Sequence, residues 1–453
     1  MSPSVHRMIV MVLLATLLPS LWACGVFRLG RDLEVLYDEI VIISGDLKVD
    51  DGLTGQPIAL LVRPTAEGLG DPAGSNLAGS DLVGSDGESR VLGSPGYELV
   101  DYRFADAKNR YNFQARPGNY RLMAFLDQNG DFLYQPHEPG AVLDEVPKEN
   151  RLDTRRRRWK FNQVVIDSRA LDTRLPLVVD LTTAGLSQLE RTVTTMGVPV
   201  NFRSGRFKSK AIAQGMWEPS RWFVDVNYGF YLLEPWGPQE DKPLLLLVHG
   251  INGSPKDFQR MLKGLDTSGM RVALFHYPSG ISIEDNAFML SQIMNELFVR
   301  TPNQEYSLIA HSLGGLISKR ALQLQEEAGH GHRIKKFISI SVPWAGHKGA
   351  AAGAEYSPVV APVWTDLAPK SRFISRLADY SLPEEVDYTL FFSHGGSSRL
   401  SADSNDGAVS LDSQLDPGMQ DRADQLIGVS QDHVGILRDR RTLGALSTLL
   451  QSP

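Results

Sequence analysis

Tyr306-Ser307-Leu308-Ile309-Ala310-His311-Ser312-Leu313-Gly314-Gly315 is the stretch on which the reading of this chain turns. Residues 306–310 are mostly apolar and read as a short buried strand, and 315–327 carries the apolar period of a helix. A serine on a tight turn from strand to helix has its hydroxyl pushed clear of neighbouring backbone, and small residues around it permit the strained conformation. Ala310 and Gly314 stand two before and two after Ser312, giving Ala-x-Ser-x-Gly, a variant of the Gly-x-Ser-x-Gly elbow. The pattern alone is moderately specific. The strand before it and the helix after it make Ser312 the candidate nucleophile.

The surroundings point to an α/β fold. Past Pro243, apolar strand-like runs at 244–248, 272–277, 306–310, 337–342 and 388–393 alternate with longer helical segments such as 283–299. That alternation marks a mostly parallel sheet flanked by helices. The first run ends in His249-Gly250-Ile251-Asn252-Gly253. Together, this motif and the elbow resemble the lipases and esterases of the α/β-hydrolase superfamily. The resemblance implies an oxyanion hole made by the backbone N–H groups of Ile251 and Leu313, with His249 bracing the loop. It also implies the chain order serine, acid, histidine. Of the histidines after Ser312 (His330, His332, His347, His394 and His433), only His433 leaves a strand and a loop in between for the acid. It follows a short strand at 426–429, as the histidine loop of this fold does. The acid is expected at Asp406, in Ser404-Asn405-Asp406-Gly407-Ala408-Val409, similar to an Asn-Asp-Gly-x-Val motif of these lipases. Its rivals are Asp366, which precedes the strand at 388–393, and Asp403.

Two further pieces, Tyr277-Pro278-Ser279-Gly280 and Ser341-Val342-Pro343-Trp344-Ala345-Gly346, resemble lipases of the triacylglycerol and GPI inositol-deacylase kinds. The resemblance covers about 242–450. Within it, 346–369 reads either as a lid over an acyl pocket or as a packed crossing segment. It implies a serine ester hydrolase without a required cofactor, and a membrane tether with an apolar lid candidate suggests lipid or acyl esters as substrates, which the fold alone does not fix. Acyltransfer or thioester cleavage on the same triad is an alternative, as is a non-catalytic envelope adhesin or scaffold.

Upstream, residues 34–170 read as a small β-sandwich domain. Short β-prone runs at 40–44, 57–62, 97–104, 111–114, 120–126 and 164–166 are separated by turn residues. Residues 65–95 are rich in Gly, Ser and Asp, hold a loose near-repeat at 74–83, and read as a surface loop. Residues 171–241 read as a connector and 242–453 as the catalytic domain. In Asp127-Gln128-Asn129-Gly130-Asp131, followed by Glu138, the oxygens of Asp127, Asn129, Asp131 and Glu138 have the spacing of a calcium loop. Phe132, however, stands where that loop needs Gly. A calcium-stiffened turn and a plain Asx-rich hairpin are both open.

Among 453 residues, 42% are hydrophobic and 22% charged, a globular balance, and the net charge of −7 offers no basic surface for nucleic acid. Four arginines at 155–158 read as a solvated loop, or as a patch facing anionic lipid. At the N-terminus, His6 and Arg7 precede an apolar run over 8–18, too short to span a bilayer. Leu21-Trp22-Ala23-Cys24 then resembles a bacterial lipobox, and ordinary signal cleavage would want a small residue at Leu21. Residues 1–23 are thus expected as a lipoprotein signal, with an acylated Cys24, a tether over 24–33, and a membrane-anchored site in the bacterial envelope, at the outer membrane. As the sole cysteine, Cys24 has no partner for an internal disulfide.

Overall fold

The computed structural model describes residues 20–39, 41–65, 93–94, 96–115, 118–143, 158–160, 164–166, 175, 179, 181, 194–234, 242–330, 333–396 and 404–451. The apolar run over 8–18, the near-repeat at 74–83 and three of the four arginines fall outside them. The chain divides into two units, residues 37–193 on one hand, and 1–36 with 194–453 on the other.

In the first unit, β1 (Val41–Val49), β2 (Gln56–Pro64), β3 (Gly93–Ser94), β4 (Tyr97–Phe104), β5 (Arg110–Ala115), β6 (Arg121–Asp127), β7 (Gly140–Leu143), β8 (Arg158–Lys160) and β9 (Val164–Ile166) form two sheets. One has the order β5-β1-β8, with β9 also on β1, and the other the order β3-β4-β2-β6-β7. In β5, Tyr111, Phe113 and Ala115 are buried while the residues between them are not, the period-two signature of a strand with one wet face. These side chains join Ile43 and Leu47 of β1 and Ala59, Leu61, Leu122, Ala124 and Leu126 of the other sheet in one core. Such a core is that of a sandwich.

The turn after β6 is built on carboxylates. Asp127 accepts the N–H groups of Gly130 and Phe132 (2.8 and 3.1 Å), and Glu138 those of Gln128 and Gln135 (2.9 and 3.0 Å). Asn129 Oδ1 and Asp131 Oδ1 accept the N–H groups of Asp131 and Leu133. Phe132 itself has φ +63°, the backbone state that favours glycine.

The second unit centres on an eight-stranded sheet of β10 (Thr194–Pro199), β11 (Tyr228–Leu232), β12 (Leu244–Val248), β13 (Arg271–His276), β14 (Tyr306–His311), β15 (Ile334–Ile340), β16 (Asp387–Ser393) and β17 (Gln425–Val429). Its order is β10-β11-β13-β12-β14-β15-β16-β17. β11 runs antiparallel to β13, and from β13 to β17 every pairing is parallel. Strands covered by helices on both faces carry unbroken apolar runs. β12, five apolar residues in a row, is buried along its whole length. This is the α/β-hydrolase arrangement, a mostly parallel sheet flanked by helices, preceded by a mostly antiparallel β-domain. The chain passes from β12 to β13 on one side, then returns to β14 on the other, so the strand order reverses at β12. Ligand sites in such sheets lie at that reversal, beyond the carboxyl ends of the strands.

Two spans read differently from sequence. Residues 194–232, within the expected connector, supply β10 and β11 to this sheet, with the helices Ser209–Trp217 and Pro219–Asp225 between them. The expected tether over 24–33 lies inside a helix, Ser20–Glu39. Asp32 on that helix accepts both the N–H and the hydroxyl of Ser220 (2.8 and 2.5 Å), and Leu29 is fully buried. Among the described residues, no helix is long and apolar enough to cross a membrane.

Candidate active site

Ser312 sits between β14 and the helix Leu313–Ala328 with φ +53° and ψ −128°. A non-glycine residue in such a conformation costs on the order of 1–3 kcal/mol and persists only where its surroundings hold it. They do so by close approach. A Cβ on Gly314 would stand 2.5 Å from the carbonyl oxygens of both Val248 and His249, and one on Gly315 would overlap Val342. A Cβ on Gly250 would reach 2.9 Å from the Ser312 Cβ. The glycines of both motifs therefore let the elbow and the loop after β12 touch.

From the far edge of the sheet, the loop after β17 brings His433 to this serine. His433 Nε2 lies 2.8 Å from Ser312 Oγ, and Nδ1 lies 2.7 Å from Asp406 Oδ2. The His433 N–H also donates to the Asp406 carbonyl at 2.9 Å. The Asp406 carboxylate is buried. Its Oδ2 also accepts from Ser393 Oγ (2.6 Å) and Gln414 Nε2 (3.2 Å), and its Oδ1 from the N–H groups of Ala408 (3.0 Å) and Val409 (2.7 Å). Burial alone would raise this carboxyl, but the hydrogen bond and charge of His433, with those from Ser393 and Val409, outweigh it and hold the group below the usual carboxylate range. The structure thus joins the three residues expected from sequence into one hydrogen-bonded line.

Leu313 opens the elbow helix, and Ile251 lies in the turn after β12. Neither backbone N–H enters a hydrogen bond of that turn or elbow among the described residues, which leaves both as donors. Gly253 N–H closes the turn on the Gly250 carbonyl (3.1 Å), and the Asn252 N–H is taken by Ser279 Oγ (3.0 Å).

Of the two rival acids, Asp403 falls outside the described residues and Asp366 lies elsewhere. Asp366, on the helix Pro362–Leu367, accepts the Ile283 N–H at 2.7 Å and so caps the helix Ile283–Arg300. Burial, followed by the nearby Asp285 and Glu284 charges, pushes it up to about 6, against the lowering effect of that N–H. The span 346–369 forms two short helices, Lys348–Tyr356 and Pro362–Leu367. Among the four candidate calcium oxygens, every one of the carboxylates already receives a backbone N–H, and among the described residues no cluster of three or more His, Cys, Asp or Glu is placed to hold a metal. Cys24 falls in the helix Ser20–Glu39.

Sequence reasoning missed three supports of the site. Ser393 and Gln414 hold the Asp406 carboxylate, and His311 Nε2 lies 2.8 Å from the His433 carbonyl. Burial pushes His311 down to about 3, so it meets that carbonyl as a neutral N–H donor. Only His311 had a local signal, its place beside Ser312.

Residues 238–366 match the family described as putative serine esterase (DUF676). No curated protein matches. Among solved structures, the chain is similar to the mature lipase BlEst2 of Bacillus licheniformis at 22% identity, over 49% of this chain and 97% of that one, with a TM-score of 0.39. It is similar to lipase B of Aspergillus fumigatus at 15% identity, over 49% and 56%, with a TM-score of 0.38. Phospholipase PlaB of Legionella pneumophila is 15% identical over 38% and 45%, with a TM-score of 0.33.

Proposed function

We propose that this chain is a serine ester hydrolase that cleaves carboxylic esters, of lipid or acyl type, through Ser312, His433 and Asp406. The observation that carries the reading is the unbroken line from Ser312 Oγ through the His433 ring to a buried carboxylate. His433 Nε2 takes the hydroxyl proton as Oγ attacks the ester carbonyl, then returns it to the leaving alkoxide. Asp406, an acceptor with five donors on it, fixes the Nδ1–H tautomer and stabilises the imidazolium that forms. The Ile251 and Leu313 N–H groups face the oxygen that becomes negative. Water then repeats the sequence on the acyl-enzyme. The match of 238–366 to a family of putative serine esterases agrees with this reading and spans the elbow and the oxyanion loop. Labelling with a fluorophosphonate, followed by a chain-length series of chromogenic esters, tests it. A purified, folded chain that neither labels nor turns over any ester overturns it.

Membrane attachment through an acylated Cys24 belongs to the same proposal, on the lipobox-like Leu21-Trp22-Ala23-Cys24. Each buried CH₂ contributes about 0.8 kcal/mol, so two or three acyl chains hold a protein stably. Cys24→Ser is expected to release the protein from the envelope fraction or leave its precursor uncleaved. An unmodified Cys24 in the intact mass of the mature protein would sink this part.

For the turn after β6, we favour the Asx-rich hairpin, because the side-chain bonds to backbone N–H groups close such a turn without an ion. An ion that bound only the folded state would raise the melting temperature. We expect the melting curve to be the same in excess calcium and in chelator. A calcium-dependent rise lost on Asp127→Asn would restore the ion.

A further inference from the structure

His249 and His276 lie side by side under the loop after β12, both essentially without solvent exposure. Their four ring nitrogens make three contacts in a row. His249 Nδ1 lies 2.9 Å from the Gly250 carbonyl, His249 Nε2 lies 3.1 Å from His276 Nδ1, and His276 Nε2 lies 3.3 Å from the Arg206 carbonyl. Both ends of the row are carbonyls, which only accept. Two neutral rings bring two N–H protons, so two of the three contacts are hydrogen bonds and one is not. The contact to Arg206 is the longest of the three, which makes it the bond most readily left unmade. The protons then sit on His249 Nδ1, donating to Gly250, and on His276 Nδ1, donating to His249 Nε2.

The carbonyl that His249 grips belongs to the Gly250–Ile251 peptide. The chain has no cis peptide bond among the described residues, and in a trans peptide the C=O and N–H point in opposite directions. Holding the Gly250 oxygen on one side, with the Gly253 N–H as second donor, therefore aims the Ile251 N–H on the other. Gly250 also lies against Ser312, as the space at its missing Cβ showed.

We propose that His276 is a positioning residue for the hydrolysis: by donating its Nδ1–H it fixes the Nδ1–H tautomer of His249, which anchors the Gly250 carbonyl and aims the Ile251 N–H at the oxyanion. This rests on the reading of Ser312 as nucleophile. The setting fits the role. Burial pushes His249 down to about 4 and lowers His276 as well, so both rings stay neutral and their shared proton count holds across the working range. Tyr277 stacks on His249 with ring centres 4.2 Å apart and donates its hydroxyl to the His249 carbonyl (2.6 Å). Phe207 and Trp222 meet the His276 ring edge-to-face at 5.3 and 5.0 Å. Of the ionisable groups nearby, the Arg206 side chain bonds the Tyr231 hydroxyl, and Asp257 bonds the Ser254 N–H rather than either ring.

The test compares His276→Phe, which keeps the ring stack and removes the donor, with His276→Asn, whose amide nitrogen stands near the place of Nδ1. Loss of an aimed oxyanion donor costs about 10²–10³ in kcat, and misaiming it costs less. We expect His276→Phe to lower kcat roughly 10- to 100-fold, to leave KM nearly unchanged, and to melt near the wild type. His276→Asn is expected to recover most of the loss. The ¹⁵N shifts of the His249 ring report its tautomer without any need for activity: Nδ1–H in the wild type, a mixture or Nε2–H in the Phe variant. A folded Phe variant with wild-type kcat, or a wild-type His249 protonated at Nε2, overturns the proposal. Should the wild type neither label with fluorophosphonate nor hydrolyse esters, the Ser312 reading has failed and takes the positioning role with it, while the ring shifts still decide the tautomer.

Discussion

Ser312→Ala is expected to abolish ester hydrolysis and fluorophosphonate labelling, with a fall in kcat of about 10⁴–10⁶. The hydroxyl is the only group removed, and its oxygen is the atom that His433 Nε2 meets at 2.8 Å. Loss of a nucleophile removes the covalent route altogether, and what remains is the binding and oxyanion stabilisation that the rest of the site supplies. The fold should stand or gain slightly. Alanine at this position would keep the positive φ of the elbow while removing a polar group from a residue that is only 4% exposed. The measurement is a single-turnover rate on a purified variant whose melting temperature matches the wild type. A variant that keeps a tenth of the wild-type rate removes Ser312 from the role.

Much of this is written locally in the chain. β4 coincides with the β-prone run at 97–104, and the elbow strand extends one residue beyond its apolar run, to His311. Patterns such as Leu244–Val248 are legible because a strand buried on both faces must be apolar throughout. Tyr228–Leu232 is equally buried, yet its sequence reads as part of a connector. Its glycine and two tyrosines lack an aliphatic run, and the helices before it interrupt the strand–helix rhythm. Position in the chain order picks out His433. The partners that hold the site are not legible for a physical reason. Ser393 and Gln414 meet the acid across 13 and 8 residues, and His276 meets His249 across 27, through side-chain contacts that leave no periodic trace. A histidine at the end of a strand looks the same in sequence whether it packs idly or fixes a tautomer.

Asp406→Asn is expected to lower kcat by several hundred-fold or more, with little change in KM. Asparagine fills the same space, and it could still accept from Ala408, Val409 or Ser393. It has no charge to set against the imidazolium, however, and its amide can turn an N–H towards His433 Nδ1, which reverses the tautomer that Ser312 needs. In a serine protease with the same triad chemistry, this exchange costs about 10⁴ in turnover. The donors on Oδ2 that an amide nitrogen cannot accept make some loss of stability expected as well, so the rate is to be read on the folded variant. A pH profile separates the two effects. The acid Asp406 is held below the usual carboxylate range, so it is ionised throughout the working range and its removal cannot be mimicked by a modest shift in pH. Asp366→Asn is the control. It replaces a buried carboxylate that caps the helix Ile283–Arg300 and makes no contact with His433, so its effect on kcat should be mild. If Asp366→Asn proves the more damaging to kcat of the two, the acid of the triad has been placed on the wrong loop.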